Sequence, residues 1–151
     1  MTLEKYNKKR KFSKTNEPPG KAVAKSKNRF VIQEHQASHL HYDFRLELPA
    51  ETESRDIVLK SWAVPKGVPE EKGIKRLAVA VEDHPVGYLD FQGDIPAGEY
   101  GAGHVDIFDR GKFKLVRRDK KILEVVLAGK KCRGLYVMVN TQGKNWLLFK
   151  K

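Results

Sequence analysis

From Leu40 to Leu48 the chain alternates without a break, with Leu40, Tyr42, Phe44, Leu46 and Leu48 on one parity and His41, Asp43, Arg45 and Glu47 on the other. Successive strand side chains point to opposite faces, so this run dictates a β-strand with an apolar face made for a core. The opposite face lines up an imidazole, a carboxylate, a guanidinium and a second carboxylate. A helical period would mix the two sets.

Other strand-like runs follow the same logic: Arg29 to Gln33, Ile57 to Val64, Lys75 to Glu82, His104 to Asp109, Lys112 to Val116, Ile122 to Leu127, Gly134 to Val139 and Trp146 to Phe149. Between them Gly, Pro and Asn gather in "PKGVPEEKG", "DIPAGEYGAG", "DRGK", "AGKKCRG" and "TQGKN", which are turn compositions. The spacing predicts a tight hairpin at "DRGK" and a turn at "GEYGAG", where no helix-forming segment follows to make a phosphate loop. Only "TLEKYNKKR" has the composition of a short helix. Many short strands with no long helical period predict an all-β fold, a compact antiparallel barrel with short helical and turn segments. The tryptophans and the "RGLYVMVN" and "NWLLFK" runs are expected in its core.

A chain of 151 residues, 40% of them hydrophobic, is about one domain long and can bury one core. The reading divides it into a basic N-terminal arm over residues 1–28 and a barrel over residues 29–151. It has no apolar run of about 18 residues and no leader pattern, so an intracellular, cytoplasmic protein with no membrane partner is expected. One cysteine, Cys132, leaves no internal disulfide and no multi-thiolate zinc site. Any metal must be held by His with Asp or Glu.

The net charge of +11 is unevenly spread. Residues 1–30 carry ten Lys and Arg against Glu4 and Glu17, and residues 112–133 carry nine against Asp119 and Glu124, whereas the stretch between is acidic. Basic flanks suit the phosphates of a nucleic acid and an acidic middle suits a cation.

His41 and Asp43, two apart on one strand, project the same way and can share an ion. His35 can join them only if "QASHL" turns back, because six extended residues cover about 20 Å at ~3.3 Å each; Ser38 suits such a turn. Two imidazoles and a carboxylate leave positions open for water or substrate and suit borderline metals such as manganese, iron, cobalt or zinc. The residues alone leave two readings, a shared ion or a hydrogen-bonded polar face. In "KRLAVAVEDHP", Arg76, Ala78, Ala80, Glu82 and His84 share a parity, and two alanines between Arg76 and the Glu82–His84 pair predict room for a ligand. His84 precedes Pro85, which favours an extended backbone there.

The segments "RFVIQEHQASHLHYDFRLEL", "LKSWAVPKG", "KRLAVAVEDHPVGYLDFQGDIPAGEYGAGHVDIFDRG" and "NWLLFKK", with "KRKFSKTNEPPG" in the arm, resemble the 3′-phosphoesterase module that is fused to bacterial DNA ligase D and also occurs free-standing in archaea and bacteria. The resemblance covers nearly the whole chain. It implies a β-barrel with a crescent-shaped groove and a manganese-dependent enzyme that heals DNA 3′ ends. Such an enzyme removes a 3′-terminal ribonucleoside to leave a 3′-phosphate, then removes that phosphate to leave a 3′-hydroxyl. Cobalt or zinc could replace manganese.

Carried onto this sequence, the resemblance makes His35, His41 and Asp43 the metal ligands. Arg45 and His84 would hold the scissile phosphate, His84 placed to protonate a leaving oxygen, with Tyr88 and Arg76 among the catalytic groups. Arg10, Glu17, Gln33, Lys66 and Glu82 would contact substrate, which folds the arm over the site. The implied partners are DNA 3′ ends, including those carrying RNA, and a separate ligase or polymerase; a monomer is expected. The chain departs from the family where Lys11 replaces the acid of an R-D-F motif, where Gln92 and Phe108 stand for Glu and Trp, and in the longer loop "PAETESRD".

Two other classes fit parts of the sequence. A non-haem iron oxygenase would use His41 and Asp43 with His84 or His104, and leaves the basic flanks unexplained. A non-catalytic nucleic-acid-binding barrel explains the charge but not the polar face.

Overall fold

The computed structural model describes residues 2–151. Its elements in chain order are α1 (Glu4–Lys8), β1 (Arg29–Gln36), β2 (Leu40–Pro49), β3 (Ile57–Val64), β4 (Lys75–His84), a 3₁₀ turn (Val86–Asp90), β5 (Gly93–Ile95), β6 (Gly103–Arg118), β7 (Ile122–Ala128), β8 (Arg133–Gln142) and β9 (Asn145–Lys150). Every pairing between strands is antiparallel. The order β1-β2-β3-β4-β9-β8-β7-β6 closes on itself because β6 also pairs with β1. The result is the expected antiparallel β-barrel, of eight strands, with β5 added along the free stretch of β6. Among the described residues no helix is long and apolar enough to cross a membrane.

The inward side chains form one apolar core. Phe30 and Ile32 of β1, Phe44, Leu46 and Leu48 of β2, Trp62 and Val64 of β3, Tyr136 and Met138 of β8 and Leu148 of β9 meet there. The parity predicted for β2 therefore holds, except that Leu40, at its start, is 51% exposed.

The parity predicted for β4 is reversed over its first half. Ala78 is fully buried in the barrel core and Ala80 packs against it, while Leu77 is 49% exposed on the outside. The alanines face inward because their cross-strand partners are Trp146 and Trp62, and two indoles inside a small barrel leave room only for methyl groups. The expected ligand space between Arg76 and Glu82 is filled by tryptophan. A register shift then follows, with Ser61 opposite Val81 and Leu59 opposite His84. The extra residue on β4 turns His84 to the outside, as β-bulges beside functional sites commonly do.

The hairpin predicted at "DRGK" does not form, because β6 runs unbroken through it. Gly111 is there for close approach: a Cβ on it would lie 2.3 Å from the carbonyl oxygen of Ala128. Asp109 is buried and accepts backbone N–H groups from Arg110, Lys130, Lys131 and Cys132 at 2.8–3.1 Å. The polar residues that read as a turn instead hold the β7–β8 loop. "GEYGAG" is a turn, as expected, with Gly98 and Gly101 at φ +88° and +76°.

A second apolar layer lies outside the barrel wall. Tyr6 of α1 and Tyr88, Leu89 and Phe91 from the 3₁₀ turn and its exit pack over Val31 of β1, Leu59 of β3 and Val105 of β6. The segment before β1 is thus packed down: Leu3 and Tyr6 have no exposed surface, and Thr15 and Glu17 are buried. Asn7 fastens it at Gly20, accepting its N–H at 2.9 Å and donating to its carbonyl at 3.2 Å.

Candidate metal and phosphate site

β1 and β2 form a hairpin whose rung next to the terminal Gln36–Leu40 pair joins His35 with His41, two residues from the rung that pairs Gln33 with Asp43. The turn needed in "QASHL" lies at residues 37–39. On this outward face the imidazoles of His35 and His41 lie 4.8 Å apart between ring centroids. Asp43 stands beside both, with His35 Nδ1 3.5 Å from Oδ2 and His41 Nε2 3.3 Å from Oδ1. One ligand atom from each of the three residues lies within 4.8 Å of the others.

Each ring is held from its far nitrogen. His35 Nε2 donates to the carbonyl of Gly101 at 2.8 Å, and His41 Nδ1 to that of His39 at 3.4 Å. Both inward nitrogens, His35 Nδ1 and His41 Nε2, therefore face Asp43, whose hydrogen bond raises the proton affinity of His41. This arrangement orients histidines as metal ligands. Asp43 is ionised: against its burial, the Arg45 guanidinium and then the two imidazoles hold its carboxyl far below the usual range. Two imidazoles and one carboxylate, aimed at one point, fit a divalent cation.

Arg45 is the next outward residue on β2 and is buried. Its Nε donates to Gln33 Oε1 at 2.7 Å and Nη2 lies 3.4 Å from Asp43 Oδ2, but Nη1 is buried with no hydrogen-bond partner among the described residues. Gln33 is locked in turn, donating to the carbonyls of Tyr88 and Phe91. His84 is buried at the end of β4 and gives its Nδ1 proton to the carbonyl of Glu82 at 3.0 Å. Its Nε2 lies 3.4 Å from Arg10 Nη2 and accepts from it. Burial, then the charges of Arg45 and Arg10, hold its proton affinity well below that of an ordinary histidine, so His84 is neutral.

The N-terminal segment and the 3₁₀ turn close the site. Glu17 accepts from Arg10 Nε at 3.0 Å, Thr15 Oγ1 at 3.0 Å and the Tyr88 hydroxyl at 2.6 Å. Tyr88 stays protonated, pushed up by burial despite the opposing Arg45 charge. A cavity of about 360 Å³ is lined by Arg10, His35, His41, Asp43, Arg45, Glu82, His84 and Tyr88, together with Ala37, Ile95, Tyr100 and Val105.

Most residues singled out from sequence thus meet here, Gln33 and Glu17 lying just behind the lining. Arg76 and Lys66 do not. They line a separate cavity with Tyr42 and Phe108, where Arg76 donates to the carbonyls of Lys66 and Gly67. Arg76 pairs with Leu148 on the inward side of β4, so the parity that put it beside His84 is undone by the bulge. His104, an alternative third ligand, lies outside the cavity between Asp94 and Asp106. Lys11 is exposed, and the buried acid near Arg10 is Glu17. Tyr100 and the Gly101 carbonyl were not singled out from sequence. The only available signal was an aromatic residue between two turn glycines.

The model of the DNA Ligase D 3′-phosphoesterase domain family matches residues 33–140. The chain is 46% identical over 158 aligned positions to the multifunctional non-homologous end joining protein LigD of Mycolicibacterium smegmatis, which covers 96% of this chain and 20% of that protein. The LigD of Pseudomonas aeruginosa is 44% identical over 160 positions, 98% of this chain and 18% of its own. That of Mycobacterium tuberculosis H37Rv is 44% identical over 151 positions, 96% and 19%. The chain spans about a fifth of the length of these curated relatives.

Proposed function

The chain belongs to the family of DNA ligase D 3′-phosphoesterase domains, and on that premise we propose that it is a metal-dependent hydrolase of DNA 3′ ends acting in end-joining repair in the cytoplasm. It removes a 3′-terminal ribonucleoside and then the 3′-phosphate left behind. The observation that carries this reading is the unpartnered Nη1 of Arg45, buried in the same cavity as the His35–His41–Asp43 cluster. A buried guanidinium donor calls for an anion, and the cluster beside it calls for a cation, so a phosphate between them satisfies both.

His35, His41 and Asp43 hold the ion, and the donor set suits manganese, with cobalt or zinc as substitutes. When bound, such an ion withdraws charge from a phosphate oxygen and acidifies water. Arg45 and Arg10 neutralise the remaining charge as it grows in the transition state. In the first step one water adds to phosphorus and the bond to the nucleoside O5′ breaks; O5′ takes up a proton and the strand keeps a 3′-phosphate. In the second step another water adds, the bond to O3′ breaks, and inorganic phosphate leaves a 3′-hydroxyl. His84 is neutral in the free protein. A bound phosphate opposes the two guanidiniums and raises its proton affinity, so His84 serves as acid only with substrate in place. Tyr88 donates and fixes Glu17, which positions Arg10. All of these groups come from one chain, so a monomer suffices. The 3′-hydroxyl is what a ligase or polymerase requires next.

The test is product analysis on a duplex with a single 3′-terminal ribonucleotide. Purified protein with manganese should yield first the 3′-phosphate strand and then the 3′-hydroxyl strand with free phosphate, and neither with chelator. Absence of both products at every metal tried would overturn the reading.

A further inference from the structure

The cavity lining is of two kinds: Arg10, Arg45 and His84 are polar or cationic, and Ala37, Ile95, Tyr100 and Val105 form an apolar and aromatic wall, with the Arg10 guanidinium 5.3 Å from the Tyr100 ring centroid. A retained DNA strand is a polyanion and follows cations, whereas the ribonucleoside that leaves is uncharged once its bond to phosphorus breaks. An aromatic, apolar wall of limited extent is matched to the second of these. Tyr100 is the one large ring on that wall and is 47% exposed.

Its placement is fixed from three sides. The loop before β6 is pinned by Glu99 N–H to the Pro96 carbonyl and Ala102 N–H to the Glu99 carbonyl, each at 3.1 Å. The next residue, Gly101, gives its carbonyl to His35, so one peptide bond ties the ring to a metal-ligating histidine. From the N-terminal segment Lys9 Nζ reaches Glu82 Oε2 at 2.7 Å, donates to the Tyr100 hydroxyl at 3.3 Å, and lies 4.6 Å from the ring centroid, with the Arg10 guanidinium 5.3 Å from it. An exposed ring so restrained offers a stacking surface at a set distance from the metal cluster.

We infer that Tyr100 is the stacking platform for the base of the terminal nucleoside, making the apolar wall a subsite for a purine or pyrimidine base. This rests on the end-healing function proposed above and names the part of the substrate that the cationic wall does not recognise. Recognition is by the flat base and is tolerant of its identity, because every base offers a π-face.

The experiment compares wild type with Tyr100→Ala, Tyr100→Phe and Tyr100→Trp on two duplexes, one ending in a 3′-adenosine unit and one ending in the same ribose without a base. Tyr100→Ala should raise KM for the adenosine end by about tenfold, the usual order for loss of one base–aromatic stack, with kcat less affected. For the abasic end, wild type and Tyr100→Ala should have KM within about twofold of each other. Phe and Trp should restore the adenosine value, Phe without the hydroxyl that Lys9 contacts. Equal loss on both ends, or no rescue by Phe and Trp, would overturn the inference. Wild-type release of nucleoside with no effect of Tyr100→Ala would sink it alone, whereas no release by wild type from either end would remove the proposed function as well.

Discussion

Both faces of β2 are buried, but by different means. Inward, Phe44, Leu46 and Leu48 are covered by the other strands of the same barrel, and closing the sheet is enough to hide them. Outward, Asp43, Arg45 and Glu47 are also buried, beside side chains of β1 and the second layer outside the wall, and each has a specific partner. Glu47 takes three hydrogen bonds from Arg29, one from its backbone N–H, and Arg45 is shared between Gln33 and Asp43. Apolar burial stabilises in proportion to area, whereas a buried charged set adds little net stability even when fully paired. The inner face therefore holds the fold, and the outer face holds a geometry.

That contrast makes opposite demands on neighbouring residues. His41→Ala and Asp43→Asn should each lower metal-dependent turnover on the order of 10³-fold or more by removing a ligand. His41, a quarter exposed at its side chain, should change stability by no more than about 1 kcal/mol. Turnover assays with thermal melts read both, and full turnover in either variant would break the assignment. Phe44→Ala, one residue on and with no exposed surface, should destabilise by about 3–5 kcal/mol, seen in urea unfolding. A wild-type melting curve would mean that the two faces are not distinct.

The outer layer offers a finer test. If it positions groups for reaction, Arg10→Ala should lower kcat itself by up to about 100-fold, and an effect confined to KM would reduce the segment to electrostatic attraction. The pH dependence follows from His84, whose folded-state proton affinity lies below the ordinary 6.5. Below about pH 6.5 the unfolded chain binds the extra proton and the folded one resists it, so stability falls with pH by at most about 1.4 kcal/mol per unit. His84→Gln should lose that part of the slope between pH 7.5 and 5.5; an unchanged slope would show that His84 is not held neutral. The smallest effect belongs to the exposed lysines, Lys5, Lys8, Lys11 and Lys14 among them. With about four to six phosphate contacts, log affinity for duplex DNA should fall against log salt with a slope of roughly −3 to −5. A slope near zero would remove them from binding.

The inner face was legible because one rule, period two, governs it from end to end. Phe44, Leu46 and Leu48 follow it, as do the paired rungs of His41 and Asp43. Legibility failed where a side chain's direction depended on a partner far away in sequence. Ala78 and Ala80 read as space for a ligand because nothing near them shows that Trp146 and Trp62 lie opposite. The bulge that turns His84 outward leaves no local mark in "VEDHP". "DRGK" read as a turn because Asp and Gly are turn residues, and only the Ala128 carbonyl explains Gly111. The covering of the outer face was invisible to composition, since a lysine-rich segment hides the two buried apolar side chains, Leu3 and Tyr6, that help anchor it. The resemblance supplied that covering, but it also set Arg76 and Lys66 beside the cluster, where the fold does not bring them.

The seam between β1 and β6 closes the barrel by pairing Arg29 with Lys112 and Gln36 with His104. It is the most distant of the strand pairings around His35, and Gly103 permits it, since a Cβ there would lie 2.1 Å from the Gln36 carbonyl oxygen. Contacts of such long sequence separation are slow to form. The His35–His41 rung is local and can form early in the hairpin, but the Gly101 carbonyl that orients His35 arrives only with the seam. The proposed ion, held by the finished cluster, would draw the barrel towards its closed state by mass action. Metal affinity would then report whether the ring of strands has shut.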